Sequence, residues 1–446
     1  MKRSLKNISN NPWSWIPTLY VAEGLPYFAV NTLTVLIYTR LGIPKTEMAF
    51  YTGWLYLPWV IKPLWSPFID IFSTKRMWVL SMQFLIAVCF ALVGLSLPGN
   101  MFFASTLTIF WLMAFFSATH DISADGFYIL ALTEKQQAGY VGVRSTAYRI
   151  ASVFGQGVLV ILAGYLQEHN YSPSTAWQYV FFLLSLIFIS IFIWHLYSLP
   201  KPADDHPLPG VSSRSILSDI GETFSSFFLK PNIGIALAFM LLYRLPEAFC
   251  LKMVTPFLVD PVADGGLALT DAQVGLANGT IGVIALLAGG LLGGVAIARN
   301  GLRRWLWPMA LSLTLPCLFY CFLAIFQPSN FLLISTFIGI EQFGYGFGFT
   351  AYMMYLIYFC RGKASTAHYA FCTGFMALGM MLPGMAAGWI WESLNSMSIF
   401  SNEKTDGYIS FFWFVIICAC STFIVTHLVF KTLSRKDPEN TQPSQD

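Results

Sequence analysis

Charged residues are scarce in this sequence. Only 11% of its 446 residues are Asp, Glu, Lys or Arg, whereas 56% are hydrophobic and the mean hydropathy is +0.63. A soluble fold of this size carries about 25% charged residues, so the composition excludes a soluble protein and indicates one that lies in a lipid bilayer. The formal net charge of +3 says little about partners, and we expect the bilayer itself but no nucleic acid among them.

Motifs of catalysis and of ATP use are also absent. The chain has no H-E-x-x-H, no G-x-S-x-G, no paired GxGD and no G-x-x-x-x-G-K-[ST] sequence, and no loop resembles a channel filter. The eight cysteines all lie in or beside apolar stretches, which favours packing over disulfides or metal binding. A polytopic membrane enzyme is therefore only a remote alternative. We expect no cofactor and no metal, with an ion gradient as the energy source.

Long apolar runs are what the sequence does contain. Twelve runs of about 20 residues are long enough to cross a bilayer, and they predict an all-α polytopic membrane protein with twelve transmembrane helices. The predicted spans lie near residues 13–39, 48–69, 77–97, 101–132, 140–166, 176–199, 232–259, 272–298, 305–326, 331–360, 365–392 and 408–430.

Basic residues in the connecting segments predict the orientation. With a cytoplasmic N-terminus, seventeen Lys and Arg lie on the cytoplasmic side and only Arg40, Lys45 and Lys404 on the other. Because cytoplasmic loops carry the excess of positive charge, both termini are expected inside. The Pro- and Ser-rich segment 201–230, with a short amphipathic helix at 215–228, is a predicted cytoplasmic connector between six-helix bundles at 1–200 and 231–430, and 431–446 is a cytoplasmic tail.

Two loop sequences indicate that the halves are repeats. Residues 66–76, SPFIDIFSTKR, follow the second span, and residues 294–304, GVAIARNGLRR, follow the eighth span 228 positions later. Both fit a degraded G-x-x-x-D-[RK]-x-G-x-[RK]-[RK] pattern. Parallel repeats of this kind flank a binding site near the middle of the membrane. The predicted gating-loop residues are Asp70, Lys75, Arg76, Arg299, Arg303 and Arg304.

Ten charged residues interrupt the predicted spans. Each would cost about 2.5 to 3.5 kcal/mol at a lipid-facing position, so they are expected to face one another or a water-filled cavity. Five are acidic and five are basic, and a balanced internal set indicates a transporter. They are Glu23, Lys62, Asp121, Asp125, Arg144, Arg149, Arg244, Glu247, Lys252 and Glu341.

Asp121 and Asp125 form the first candidate proton site. Their i, i+4 spacing places both carboxylates on one face of span four, where dehydration and mutual repulsion favour proton binding. A structural ion pair with span five is the alternative. Counting about 1.5 Å of rise per residue from the loop at Lys135 predicts the pairs Asp125/Arg144 and Asp121/Arg149. Lys62, near the end of span two, is expected to snorkel to the interface.

The remaining intramembrane charges lie nearer the middle of their spans. Glu23 and Glu341 suit either a proton or sugar hydroxyls. Arg244 and Glu247, spaced i, i+3, could neutralise each other, but a guanidinium also suits a carboxylate ligand. The candidate substrate-binding residues are Arg149, Arg244, Glu247, Arg144, Tyr27 and Lys252, and the candidate proton-coupling residues are Asp121, Asp125, Glu341 and Glu23.

Several blocks of sequence resemble the AmpG family of muropeptide permeases within the major facilitator superfamily. The S-A-T-x-D-I-x-x-D pattern within SATHDISADGF is the most diagnostic. The other blocks are GLPY (24–27), KPLWSPFID (62–70), YRIASVFGQG (148–157), LYRLPEAFCLKMVTPFLV (242–259), VGLANGTIG (274–282), EQFGYGFGF (341–349) and AGWIWE (387–392).

The resemblance implies a fold and an activity. It implies the major facilitator fold and proton-driven import of anhydromuropeptides, which are sugar-peptide fragments of peptidoglycan, across a bacterial inner membrane into the cytoplasm. It implies no obligate protein partner. The chain departs from the family at Glu23, where a small residue is usual, and at Lys252, where a small polar one is frequent. Related branches that look like siderophore and acetyl-CoA transporters share parts of the motif, so another periplasmic solute or an acyl-CoA-type cargo is the alternative.

Overall fold

The structure is a computed structural model that describes residues 11–203, 205–206, 221–222, 224–360, 365–397, 399 and 406–435. The elements in these ranges are α-helices with short 3-10 and π-helical segments, and no β-strand occurs among the residues described. The predicted all-α fold is confirmed. Of the amphipathic helix predicted at 215–228, residues 215–220 lie outside the described ranges, while 224–228 are helical.

Contacts divide the chain into two compact units. The first unit comprises Met1–Ser218 with Leu269–Thr280, and the second comprises Asp219–Ala268 with Ile281–Asp446. The described helices of the first unit, with their π-helical segments, are α1 (Ile16–Phe28, Ala29–Leu33, Thr34–Arg40), α2 (Lys45–Trp54, Leu57–Phe72), α3 (Lys75–Ser96), α4 (Phe102–Ala131), α5 (Glu134–Val153, Phe154–Val158, Leu159–Glu168) and α6 (Pro173–Ser198).

The second half of the chain repeats this pattern. A helix of 32 residues, Val283–Thr314, turns at Gly301, and we number the parts on either side of that turn separately. The helices are α7 (Ile233–Leu242, Leu245–Val259), α8 (Asp271–Val274, Gly275–Gly282 and the part before Gly301), α9 (the part after Gly301, Leu315–Cys317 and Leu318–Phe326), α10 (Phe331–Phe359), α11 (Ser365–Met397) and α12 (Asp406–Arg435).

Hydropathy and length identify most of these helices as membrane spans. In the part of the chain that the structure describes, 9 helical stretches are long and apolar enough to cross a bilayer. One of them, the 56-residue stretch Asp271–Phe326, holds both α8 and α9. Two further helices that the sequence predicts as spans are not among these stretches. They are α2, which is divided into shorter helices, and α10, which carries Glu341 and Gln342 in its middle. The twelve helices therefore match the twelve predicted spans.

The two predicted loop repeats occupy the same place in the fold. Ser73 ends α2, and Thr74 caps α3 by accepting a hydrogen bond from the backbone of Met77 at 3.1 Å. Gly301, 228 positions later, joins α8 to α9 with φ +78°, a conformation that glycine adopts without strain. The predicted equivalence of the two loops is confirmed.

Glycine lets the start of α8 approach α5 closely within the first unit. A Cβ at Gly279 would lie 1.8 Å from the carbonyl oxygen of Gln156, and one at Gly164 would lie 2.3 Å from the backbone nitrogen of Ala272. Gly157 and Gly275 face each other in the same contact. Small residues at a helix pair allow such backbone approach, which favours association inside a membrane.

Polar residues complete the contact at one end. The buried carboxylate of Asp271 accepts hydrogen bonds from Arg40 Nε at 2.5 Å and from Gln167 Nε2 at 2.6 Å. Arg40 also donates to the carbonyl oxygen of Leu269 at 2.5 Å. The ends of α1 and α5 are thereby bonded to the beginning of α8.

A side chain at Gly279 should destabilise the protein. Gly279→Ala is expected to lower the free energy of unfolding by about 1 to 3 kcal/mol, because the methyl group must push two helix backbones apart. Gly294→Ala is the matched control, since no atom lies within 4 Å of a Cβ there. Thermal unfolding in one detergent measures both variants. Equal melting temperatures would contradict the close contact.

Candidate functional site

The first unit gathers five of the predicted intramembrane charges. Lys62 Nζ lies 2.5 Å from Asp121 Oδ2, and an Arg144 guanidinium nitrogen lies 2.7 Å from Asp125 Oδ1. Glu23 lies beside both aspartates, and we call the five residues the carboxylate cluster. The predicted Asp125/Arg144 pair is confirmed. Three acids therefore share two bases, on four helices of one unit.

The predicted Asp121/Arg149 pair is wrong. Asp121 pairs with Lys62, and Arg149 forms no ion pair within the described ranges. The prediction compared how far each residue lies along its helix and neglected the direction in which its side chain points around the helix axis. At about 100° per residue, Arg149 lies roughly 140° around α5 from Arg144, whereas Asp121 and Asp125 lie only about 40° apart on α4. One helix face cannot present both arginines to both aspartates.

The prediction that Lys62 snorkels to the interface is also wrong. Its ammonium group turns inward to Asp121, and its side chain is only 28% exposed. Dehydrating an ammonium group or a carboxylate alone is costly in the protein interior. The ion pair offsets part of that cost for both groups. Lys62 is thus part of the site.

Close packing of α1 against α5 brings Glu23 into the cluster. A Cβ at the adjacent Gly24 would lie 2.8 Å from Ala151 Cβ and 3.3 Å from Tyr148. Glu23 is only 9% exposed, and its Oε2 atom is buried without a hydrogen-bond partner in the described part of the chain. The carboxyl groups of Glu23 and Asp121 are within hydrogen-bonding reach of each other.

Tyr20 positions the Asp125/Arg144 pair. Its hydroxyl donates to Asp125 Oδ1 at 3.3 Å, and its ring lies under the Arg144 guanidinium with 4.5 Å between the guanidinium carbon and the ring centroid. Tyr128 lies 5.8 Å from the same carbon. A guanidinium over aromatic rings keeps its charge while one edge stays available to a carboxylate.

A buried polar chain holds α4 from its other side. His120 Nε2 lies 3.0 Å from Gln83 Nε2, Gln83 Oε1 lies 2.9 Å from His195 Nδ1, and His195 Nε2 lies 2.8 Å from the Thr18 hydroxyl. In this orientation of the Gln83 amide, its nitrogen donates to Nε2 of His120 and its oxygen accepts from Nδ1 of His195. His120 is thus a buried, hydrogen-bonded residue of α4.

In the second unit, Arg244 lies where α7 is interrupted. Tyr243 and Arg244 separate the two parts of α7, and Pro246, the second residue of the second part, has no backbone N–H to donate. The guanidinium donates to both carboxylate oxygens of Glu247, at 2.8 and 2.5 Å, and to the Tyr345 hydroxyl at 2.9 Å. It also lies 4.6 Å from the ring centroid of Phe349. Arg244 and Glu247 neutralise each other, which was one of the two interpretations, and their role in substrate binding stays a prediction.

Glu341 and Lys252 are buried in the same unit. Glu341 Oε2 accepts hydrogen bonds from the Tyr320 hydroxyl at 3.0 Å and from Gln342 Nε2 at 2.9 Å. Lys252 is 1% exposed, and its methylene stem passes Gly384 of α11. The proton-coupling role of Glu341 and the substrate role of Lys252 stay predictions.

The aromatic candidate Tyr27 lies in the first unit. Its ring makes an edge-to-face contact with Trp59 at 5.2 Å between centroids. The predicted role of Tyr27 in substrate binding stays a prediction. Among the described side chains, no group of three or more His, Cys, Asp or Glu residues could hold a metal ion.

Residues of the predicted gating loops bind the neighbouring helix ends. Arg76 donates to the carbonyl oxygens of Leu196 at 2.8 Å and Leu199 at 3.4 Å, which end α6. The Asp205 carboxylate accepts from the backbone N–H groups of Lys75 at 2.7 Å and Arg76 at 3.0 Å. Both contacts place a charge at the helix end of opposite partial charge.

The second loop keeps part of this arrangement. Arg303, equivalent to Lys75, lies 5.4 Å from the ring centroid of Phe430 on α12, while Arg299 and Arg304 are exposed. Asp70 lies on α2, and its side chain is outside the described part. A gating role for these residues stays a prediction.

Sequence reasoning missed several functional contacts. Tyr20 and Glu23 are spaced i, i+3 on α1, and this spacing could have indicated a shared face with the cluster. The pairing of Gln83 with two histidines, and of Asp205 with α3, had no local signal because each joins residues more than 30 positions apart.

Comparisons with known proteins identify relatives over nearly the whole chain. The sequence profile of the Major Facilitator Superfamily matches residues 18–387. The anhydromuropeptide permease of Escherichia coli K12 is 25% identical over 420 residues, which cover 92% of this chain and 78% of that protein. A Rickettsia conorii protein named as an AmpG-type transporter, AmpG 4, is 24% identical over 427 residues, covering 92% of this chain and 94% of that protein.

Solved structures with the same fold include other transporters. A bacterial homologue of the human lysosomal transporter Spinster, in an inward-facing unoccupied conformation, has a TM-score of 0.72 at 13% identity and covers 96% of this chain and 98% of that one. A bacterial homologue of the human drug and peptide transporters has a TM-score of 0.67 at 12% identity, covering 97% and 99%. At this identity the similarity concerns the fold.

Proposed function

Because this chain belongs to the Major Facilitator Superfamily and is a membrane transporter rather than an enzyme, we propose that it imports anhydromuropeptides together with protons. The membrane is the inner membrane of a bacterium, both termini and the connector 201–230 are cytoplasmic, and the cargo is a sugar-peptide taken up from the periplasm. Neither a cofactor nor an obligate protein partner is required.

The carboxylate cluster is the observation that supports proton coupling. It places three acids and two bases inside a membrane-spanning bundle, where uncompensated charge is costly. The exposed fraction of the three acids decreases through the cluster. It is 39% for the Asp125 side chain, 16% for the Asp121 side chain and 9% for Glu23. A proton that enters at Asp125 can thus reach carboxyl groups that water reaches less.

Two further observations support the cargo. The curated relatives named as anhydromuropeptide permeases align over most of this chain. In addition, Arg149 forms no ion pair among described residues, so its guanidinium remains available to the carboxylates of a peptide stem. A different periplasmic solute such as a siderophore is the second candidate, favoured by the buried charges Glu23 and Lys252 at positions where the resembled family has small residues.

Uptake into reconstituted vesicles tests the proposal. Radiolabelled anhydromuropeptide should accumulate when the inside of the vesicle is made negative and alkaline, and a protonophore should reduce accumulation to equilibration. Unlabelled ferric siderophore and acyl-CoA serve as competitors. Uptake at full rate after the gradient is collapsed would refute proton coupling, and competition by a siderophore without uptake of muropeptide would refute the cargo.

A further inference from the structure

The carboxylate cluster contains more acids than bases. Lys62 neutralises Asp121 at 2.5 Å and Arg144 neutralises Asp125 at 2.7 Å. Glu23 then remains as a third carboxyl group with no cation of its own in the described ranges. The groups that face Glu23 from the surrounding helices are Tyr20 of α1, Lys62 of α2, Asp121 and Asp125 of α4, and Arg144 and Tyr148 of α5.

Hydrogen-bond chemistry determines how many protons the contact between Glu23 and Asp121 holds. An ionised carboxylate only accepts hydrogen bonds, so two carboxyl groups within bonding reach require one proton between them. Without that proton, two negative charges would face each other at a site where Glu23 is 91% buried, and like charges in such a site cannot both ionise without a large cost.

The position of the proton follows from the partners. Asp121 is held as the anion by the Lys62 ammonium group, and Asp125 by Arg144 and the Tyr20 hydroxyl. Among the residues that the structure describes, the buried Glu23 Oε2 has no hydrogen-bond partner, which an ionised carboxylate tolerates poorly but a neutral carboxyl group tolerates. The proton therefore belongs to Glu23, and its O–H group donates to Asp121.

We propose that Glu23 is the proton carrier of this transporter and that it shares one proton with Asp121. The five-residue cluster is neutral with this proton bound and carries one negative charge after the proton has left to water. Proton loading then removes repulsion of an anionic cargo, and proton release restores it. The carrier role rests on the proposed proton-coupled transport, whereas the shared proton does not.

Counting protonated carboxyl groups tests the proposal without any transport. Infrared spectroscopy of the purified protein in lipid nanodiscs at neutral pH detects the C=O stretch of neutral carboxyl groups, and deuterium exchange identifies it. Relative to the wild type, the signal should fall by one group in Glu23→Gln, because the amide N–H replaces the shared O–H. It should also fall by one in Asp121→Asn, because two acids then face two bases.

Lys62→Gln provides a change of opposite sign. Removing one base leaves three acids and one base, so the signal should rise by one carboxyl group. Asp264→Asn, which replaces an exposed aspartate of the second unit, is the matched control, and it should leave the carboxyl signal unchanged. An unchanged carboxyl signal in both Glu23→Gln and Asp121→Asn would overturn the proposal, whatever the cargo proves to be.

A pH profile separates a carrier from a merely structural residue. In vesicles, exchange of labelled for unlabelled anhydromuropeptide by Glu23→Gln should lose its dependence on pH, because glutamine imitates the protonated state permanently. Exchange that keeps the wild-type pH profile in Glu23→Gln would show that another group carries the proton. Absence of muropeptide exchange in the wild type would contradict only the cargo, because the infrared result stands apart from it.

Discussion

Asp121→Asn and Asp125→Asn will each abolish accumulation of substrate against a gradient. With asparagine at either position, two acids face two bases, so Glu23 stays ionised and no longer loads and releases a proton. One proton that accompanies a cargo of one negative charge moves no net charge, so a pH difference of about one unit supplies about 1.4 kcal/mol, which corresponds to about tenfold accumulation. Both variants should therefore fall from this ratio to a ratio of about one, measured as internal against external radiolabel in vesicles.

The same variants should differ from a generally damaged transporter. Exchange of labelled for unlabelled substrate needs no net proton movement, so we expect it to survive in at least one of the two. Asp264→Asn, which replaces an exposed aspartate outside the spans, is the matched control and should accumulate normally. Wild-type accumulation by both cluster variants would assign Asp121 and Asp125 to helix packing alone.

Arg149→Lys will weaken the binding of a carboxylate-bearing cargo much more than that of its ester. Lysine keeps the positive charge but loses the planar fork that binds both oxygens of a carboxylate. We expect about a tenfold loss of affinity, or about 1.4 kcal/mol, for anhydromuropeptide. Its methyl ester should lose little. Competition binding to the purified protein measures both ligands.

Arg244→Lys provides an informative comparison. In the structure Arg244 already donates to both oxygens of Glu247, so its replacement is expected to disturb the interrupted α7 as well as the ligand. A similar loss for acid and ester would then identify Arg244 as a residue that holds α7, whereas a selective loss would identify it as a substrate contact. Equal losses in Arg149→Lys would remove Arg149 from the substrate site.

Local and periodic features were predictable from the sequence. The twelve spans follow from apolar runs of sufficient length, and the duplicated loops follow from a motif repeated at a fixed displacement. The pair Asp125/Arg144 followed from the height of both residues above the same short loop. Each of these features can be found by counting positions along the sequence, without knowing how any helix is rotated.

Features that depend on rotation about a helix were not predictable in the same way. Arg149 was matched with Asp121 by height alone, and Lys62 was assigned to the interface. Both predictions failed because Lys62 pairs with Asp121. Glu23 was recognised as buried and polar, but its proximity to Asp121 depends on how Gly24 packs against α5. Each of these outcomes depends on how two helices are rotated about their own axes. A hydropathy profile gives no information about that rotation.

The glycine contact between α5 and the start of α8 has a mechanical consequence. The two helices meet largely through backbone atoms at Gly157, Gly164 and Gly279, so few side chains interlock between them. The work of separation is then concentrated in the few hydrogen bonds of Arg40 and Gln167 with Asp271. The buried carboxylate of Asp271 therefore fixes the register in which the two helix surfaces meet.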